Sequence, residues 1–467
     1  MIIRPIAFLK GLVPFAIAIG IWLIPVPAGL TAPAWHLFAV FVAAIASVLV
    51  GVFPLLTSTM LAVAAVVLTG TISPAQAFSG FANSSVLLVV IAFIVAQAVV
   101  KSGLGHRISL LMVSRFGGSA LGLAYSIVLT DAVIAPAFPS NTARGGVIYP
   151  VVLSVAQGAG SRPADAQTRR LGGYLMFCGM ASLAVSSALW MTATSANPIG
   201  VQIARDFGLS INFGKWLFVA SVPALTAILL LPLVVAKLYS PGVRATPDAP
   251  AAARKSLSEM GPLKREEKIT AIAFALMVAG WIFADQLKLN VTSIAFAGLG
   301  VLLMTDVLTL DDIAKQGDTL ATFLWLAVLF ALSGQLNELG FMSYAGQRLA
   351  AEIGGLSWPV TYVTLIVLYV AIHYMFVSQS SQVLALMGVF LDVGTRGGVP
   401  APLMAFALLF ASSYFSVITP QGGSQNVIFV ASGYLTQREL YTLGLVMTLF
   451  FLTVFMAIGT PWILAVA

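Results

Sequence analysis

Pro139-Ser140-Asn141-Thr142-Ala143-Arg144 interrupts the apolar segment 118–160 with a proline, two hydroxyls, an amide and a cation. Hydrocarbon does not accept such backbone unless it is buried in protein or lines a cavity. A second interruption, Ser378-Gln379-Ser380-Ser381-Gln382, lies inside segment 358–395, with Ser378 placed 238 positions after Ser140. Each is followed by another break in an apolar run. The first is Thr194-Ser195-Ala196-Asn197-Pro198, and the second is Thr419-Pro420-Gln421-Gly422-Gly423-Ser424-Gln425-Asn426. Asn197 and Asn426 are 229 positions apart, close to the offset between the serines. Two homologous halves with small insertions give this pattern. Matched interruptions in two halves are the sequence mark of a binding site at mid-membrane in a transporter.

The composition demands a membrane. The chain has 467 residues, of which 60% are hydrophobic and 8% charged, and its mean hydropathy is +1.01. A soluble domain carries about 25% charged residues. The first apolar run, from Ile6 to Pro25, contains Lys10 and lacks a small-residue cleavage site, so it reads as a retained helix. The single Cys178 excludes an intramolecular disulfide, and three histidines offer no zinc cluster.

The net charge of +7 follows membrane topology, not nucleic acid. About eleven crossings are expected, with 118–160 and 358–395 entering and returning on one side. With the amino terminus inside, Arg205, Lys215, Lys288, Arg348 and Arg396 fall outside and Arg144 lies within the first hairpin, leaving 17 of the 23 Lys and Arg inside. This is the positive-inside bias, and it places the carboxyl terminus outside.

The expected fold is therefore an all-α polytopic membrane protein. Residues 1–33 form a helix outside the repeat, 34–240 the first repeat, 241–267 a cytoplasmic linker and 268–467 the second repeat. An odd number of crossings in each half makes the repeats inverted. The stretches Lys101 to Phe116 and Gly340 to Ile353 mix charge with apolar residues and read as interfacial helices.

The interruptions suit an anion. Ser140 is a good N-cap for a helix starting near Thr142, and Asn197 precedes a proline at the first helical position. Ser380 and Ser381 can cap the returning helix of the second hairpin, and Asn426 can cap Val427 to Ser432. Helix amino termini carry unpaired N–H groups and positive dipole ends. Carbonyls at the ends of the preceding half-helices suit a small cation. Candidate Na+ positions lie near Ser140, Asn141, Ala193, Ser378, Ser380 and Gly422.

Pro139 to Gly146, the Ser378-Gln379-Ser380 counterpart, Phe78-Ser79-Gly80-Phe81-Ala82-Asn83 and Ser102-Gly103-Leu104-Gly105-His106-Arg107-Ile108 resemble the divalent anion/sodium symporter family over nearly the whole chain. Ser140 to Gly146 and His373 to Gln379 are most similar to its 2-oxoglutarate/malate translocators. The resemblance implies a homodimer with elevator-type alternating access. It also implies that substrate carboxylates meet Ser140, Asn141, Thr142, Ser378, Gln379 and Ser380, helped by Thr194, Asn197, Gly423 and Asn426. No organic cofactor and no nucleic-acid partner is expected, only a small dianion and the bilayer.

An arginine within a bilayer is costly and functional by default. An arginine just after the first signature resembles the exchangers of the family, in which a fixed charge stands in for sodium. Arg144 and Gln382 are thus the charge-coupling positions, and the neutral Gln382 departs from the exchanger pattern, which has a histidine there. Exchange of dicarboxylates such as 2-oxoglutarate, malate or succinate is the expectation. Sodium-coupled symport, or carriage of citrate or sulfate, is the alternative. Asp131 either pairs with Arg144 or couples protons, pairing being the simpler expectation. His373 precedes the hairpin tip and receives no role. No His-Glu-x-x-His or Gly-x-Ser-x-Gly sequence suggests an enzyme.

Overall fold

The computed structural model describes residues 5–166, 168–352, 355–376 and 378–467, with side chains described from residue 12 onward. Among the described residues there is no β-strand; one isolated antiparallel bridge joins Ser119 and Ala245. An all-helical chain is what hydrocarbon imposes, because every backbone group must find its partner internally. Seven described helices are long and apolar enough to cross a membrane, and five shorter apolar ones accompany them. Several start on side-chain caps: Thr31, Ser119, Asn212, Asn290 and Thr436 each accept from a backbone N–H one turn on.

Two compact units share the chain. One contains residues 1–90, 199–210 and 316–408, and the other 91–198, 211–315 and 409–467.

In the first unit, helix Gly317–Glu338 packs on Ala32–Leu49 and Leu55–Leu68. Gly80 allows its closest approach, since a side chain there would run into the backbone carbonyl of Ala327. The second hairpin belongs to this unit. Its first arm is Trp358–His373, and its return arm runs through Gln379–Gln382, a π-helical turn at Val383–Met387 and Gly388–Arg396. The wider π turn is held in part by Ser333, whose hydroxyl donates to Leu384 O at 2.9 Å.

The second unit is built around helix Arg169–Leu189, in which every residue from Leu171 to Leu189 is buried. Its glycines, alanines and serines let neighbouring backbones approach closely. Gly172, for example, leaves no room for a methyl group beside the Tyr434 ring. The helices that pack on it most extensively are Ala120–Ile134 and Asn141–Gly158, the arms of the first hairpin, and Phe213–Leu238.

The sequence between the halves is less loose than its prolines suggest. It holds a helix, Asp248–Met260, packed on Leu104–Phe116. The helix Leu104–Phe116 follows a sharp turn at Gly103 (φ 80°). Its Leu111 and Phe116 are exposed, in keeping with an amphipathic face, but its other side is occupied by protein. Thr246 Oγ1 donates to Gly117 O at 2.7 Å. Arg107 grips Glu267 through Nε (2.6 Å) and Nη2 (3.0 Å), and its Nη1 donates to Gly261 O.

Candidate functional site

The first hairpin folds as its sequence requires. Proline at 136 and 139 ends the first arm, and Ser140, with extended φ and ψ of −144° and 124°, caps the return arm by accepting from Ala143 N. The residue one turn on, Arg144, has no exposed surface. Its Nε lies 2.9 Å from Asp131 Oδ1 on the first arm. The contact is close, but its angle does not make it a hydrogen bond. Nη2 donates to Leu183 O (2.6 Å), Ser187 Oγ (2.8 Å) and Asn141 Oδ1 (2.9 Å), and Nη1 reaches towards Ala193 O at 3.5 Å. Ser186 Oγ donates to the other Asp131 oxygen at 2.6 Å. The cation is thus neutralised and ringed by oxygen, as a charge in such surroundings must be.

Two other breaks meet this hairpin. Ser195 N donates to Pro139 O at 2.9 Å, and Thr192 Oγ1 to Pro136 O at 2.9 Å. The hydroxyls of Thr142 and Ser424 are hydrogen-bonded to each other. Gly145 faces Gln425 and Phe429. Three of the four interruptions are therefore joined in one unit. Ser378, Gln379 and Ser380 lie in the other unit.

Asn197 and Asn426 correct an expectation. Neither caps the helix that follows it. Asn197 lies inside the first turn of Ala196–Asp206, and Gln425 takes the cap position before Asn426. Both amides turn backwards. Asn197 Nδ2 donates to Ser187 O (2.7 Å) and Trp190 O (3.0 Å). Asn426 Nδ2 donates to Ser416 O (2.5 Å) and Thr419 O (2.9 Å). Each asparagine thus reaches back to carbonyls ten and seven residues earlier, Asn197 at the end of Arg169–Leu189 and Asn426 in the turn that follows Ala401–Tyr414. Orphan carbonyls need partners as much as orphan N–H groups do.

The predicted residues fall into two layers. Thr142 is exposed and Ser140 half-buried, so both can meet a solute; so can Gln421 and Ser424, which were not singled out from the sequence. Asn141, Thr194, Asn197, Gly423 and Asn426 are buried beneath. Ser182, Ser186 and Ser187 were also missed. Their signal was three hydroxyls on one small-residue helix, which becomes meaningful only once that helix is known to be central.

In the second hairpin Ser378, not Ser380 or Ser381, is the cap, accepting from Ser381 N. Ser378 and Gln379 are half-buried, while Ser380 and Gln382 are buried. Gln382 Nε2 donates to Tyr369 O on the first arm at 2.8 Å. Tyr369 and Gln382 are each 238 positions after Asp131 and Arg144. The same pair of positions ties the arms together in both hairpins, by an ion pair in one and an amide in the other. Gln382 Oε1 lies 2.6 Å from His373 Nδ1, a contact that sequence order did not reveal. Among the described residues no cluster of His, Cys, Asp or Glu is arranged to hold a metal ion.

Comparison with known proteins fits these features. The chain is 38% identical over 453 residues to YflS of Bacillus subtilis (strain 168), a candidate malate transporter by name, covering 97% of this chain and 95% of that one. It is 34% identical over 461 residues to the chloroplastic dicarboxylate transporter 2 of Spinacia oleracea, covering 97% of this chain and 82% of the relative. The crystal structure of the YdaH transporter of Alcanivorax borkumensis shares the fold, with a TM-score of 0.59 at 19% identity over 84% of this chain and 87% of that one. The family model described as the sodium:sulfate symporter transmembrane region matches residues 6–467. The chain therefore belongs to this family of membrane transporters.

Proposed function

We propose that this protein exchanges dicarboxylates of the 2-oxoglutarate, malate and succinate type across the bacterial inner membrane. The relatives' names support the substrate class. One observation favours exchange: the Arg144 guanidinium occupies the ground that sodium would need. It holds Asn141 Oδ1 at 2.9 Å and lies 3.5 Å from Ala193 O, two of the oxygens expected near a cation. A guanidinium fixed to the chain cannot leave with the substrate, so the carrier returns only with another anion. Arg144 acts as a positioning residue for the hairpin tip, since Asp131, Leu183, Ser187 and Asn141 already engage it. The solute is met by the outer layer of the first hairpin and the break that joins it, Ser140, Thr142 and Ser424. A homodimer, elevator movement, an inside amino terminus and an outside carboxyl terminus belong to the same reading.

Sodium symport is the second reading. It rests on Gln382, which is neutral at the position equivalent to Arg144. Counterflow in proteoliposomes separates the two. Labelled malate should enter only vesicles preloaded with dicarboxylate, with or without sodium, and competition should rank 2-oxoglutarate and succinate above citrate and sulfate. Sustained uptake into empty vesicles under a sodium gradient would refute exchange.

A further inference from the structure

In the first unit, helix Ala32–Leu49 turns an apolar stripe towards a cavity. Phe38, Phe41, Val42, Ile45, Ala46 and Leu49 recur at helical spacing, and all six line one space of about 230 Å3. Leu336, Phe341 and Met342, with Ala385 and Leu386 from the π turn of the second hairpin, form other parts of its wall. Every lining side chain is apolar. An apolar cavity of ~150 Å3 stays dry and takes up benzene, so this larger one suits hydrocarbon and not water. Val42 and Ala46 are half-buried and Leu49 is exposed, so the space is a groove open to the surroundings of the helix. Around a helix long and apolar enough to cross a membrane, those surroundings are lipid.

The length of the groove narrows the occupant. Phe38 and Leu49 are 11 positions apart, or about 16 Å at ~1.5 Å per residue. One leaflet of a ~30 Å hydrocarbon core is about 15 Å thick. The groove thus runs along a spanning helix for the length of one extended acyl chain.

The amino end of the helix supplies a place for a headgroup. Trp and Tyr gather where hydrocarbon meets water, and three stand here. Trp22 stacks on His36, and Trp35 Nε1 donates to Ile21 O at 2.9 Å. The third, Tyr344, lies against the turn before the helix, where a methyl group on Gly29 would touch its ring at 3.8 Å. Tyr344 belongs to Phe341–Glu352, whose Phe341 stacks on Phe38 at 4.1 Å at the start of the stripe. Two turns beyond Phe341 is Arg348, exposed, with its guanidinium 5.1 Å from the centre of the Tyr344 ring. Among the described residues Arg348 forms no ion pair, not even with Glu352 one turn on. A cation at this depth, beside a groove made for a hydrocarbon chain, complements a lipid phosphate.

We propose that the groove holds one acyl chain of an anionic phospholipid, with Arg348 engaging its headgroup. The chain lies against Ala385 and Leu386 and so props the return arm of the second hairpin at its widened turn, where Leu384 O accepts from Ser333.

The test uses wild-type protein in phosphatidylethanolamine vesicles containing phosphatidylglycerol with a diazirine midway along one acyl chain. After irradiation, labelled residues are read by peptide mass spectrometry. Label should concentrate on residues 38–49 and 385–386, well above the exposed Leu225, Leu229 and Leu233 of Phe213–Leu238. The same diazirine carried on phosphatidylethanolamine should label the groove about fivefold less, the worth of one basic residue at an anionic headgroup. Arg348→Gln should bring that ratio to about one. Ala46→Phe fills the groove and should remove most of its label while leaving that of Phe213–Leu238 unchanged. Label spread evenly over exposed apolar residues would overturn the proposal, as would equal labelling of the wild-type groove by the two headgroups. Should Ala46→Phe misfold, the wild-type pattern and Arg348→Gln still decide. An unlabelled groove, with Ala46→Cys forming a disulfide between two copies of the chain, would assign the stripe to a second protomer and refute the lipid.

Discussion

Arg144 Nε lies 2.9 Å from Asp131 Oδ1, and neither side chain has any exposed surface. The pair joins the two arms of the first hairpin one turn below its tip. Removing one partner from a buried pair leaves the other charge unpaired, at a cost of about 3–5 kcal/mol. Asp131→Asn and Arg144→Gln should each lower thermal stability in detergent by that order. The double variant should recover much of the loss, because no lone charge is left. Exchange should not recover, since the hairpin tip loses its brace on Asn141. If the two single losses simply add, the contact carries no coupling energy.

Asn197 and Asn426 perform the same task in the two halves, and the prediction follows from their shared geometry. Each donates to two carbonyls, ten and seven residues back. Replacement by alanine leaves those carbonyls buried and short of a donor, at about 1–3 kcal/mol for each unsatisfied group. Asn197→Ala and Asn426→Ala should therefore destabilise the protein to similar extents. Asn→Asp at either site should be worse, because a carboxylate faces the carbonyls with acceptors only. A near-neutral thermal shift for both alanine variants would contradict this role.

These contacts mark what a sequence can and cannot disclose. Prolines, hydroxyls and amides inside apolar runs locate the breaks, because hydrocarbon penalises such residues wherever they fall in the chain. Ser140 capping Ala143 was legible for the same reason: a cap is a local event. The direction of the Asn197 amide was not, since a cap for the next helix and a closure for the last one use the same residue type at the same position. Ser186 and Ser187 were invisible because their partners, Asp131 and Arg144, lie 55 and 43 residues away. His373 was dismissed on sequence order, although a hairpin brings residues nine apart face to face across its tip.

Glu267 predicts an acid limit for the linker. The hydrogen bond from Arg107 holds its carboxyl below the ordinary glutamate range, with Lys264 N adding to the effect and burial opposing it. A group whose folded value is depressed contributes stability that is fully present above its unfolded value, about 4.3, and lost as pH falls through the folded one. Protease cutting within residues 240–267 should stay slow at neutral pH and accelerate as pH drops below the usual glutamate range. Glu267→Gln should be cut faster at neutral pH and should lose much of the acid step. A wild-type cutting rate unaffected between neutral pH and the carboxylate range, together with slow cutting of Glu267→Gln at neutral pH, would mean that the clamp does not secure the linker.

Arg144→Ala, with Asp131 kept, makes the sharpest test of the sodium argument. The guanidinium now satisfies Asp131, Asn141 Oδ1, Leu183 O and Ser187 Oγ. Its removal leaves one carboxylate and several neutral oxygens around the space it filled. Oxygen donors with a single negative charge suit a hard monovalent cation, and binding to the folded state alone stabilises it by mass action. The variant should therefore gain thermal stability in sodium chloride over choline chloride, where the wild type shows no difference. Asp131→Asn added to the same background should abolish the gain, which separates a cation site from a general salt effect. Equal melting of Arg144→Ala in sodium and choline would show that the guanidinium does not stand where a cation can bind, and the preference for exchange would lose its support.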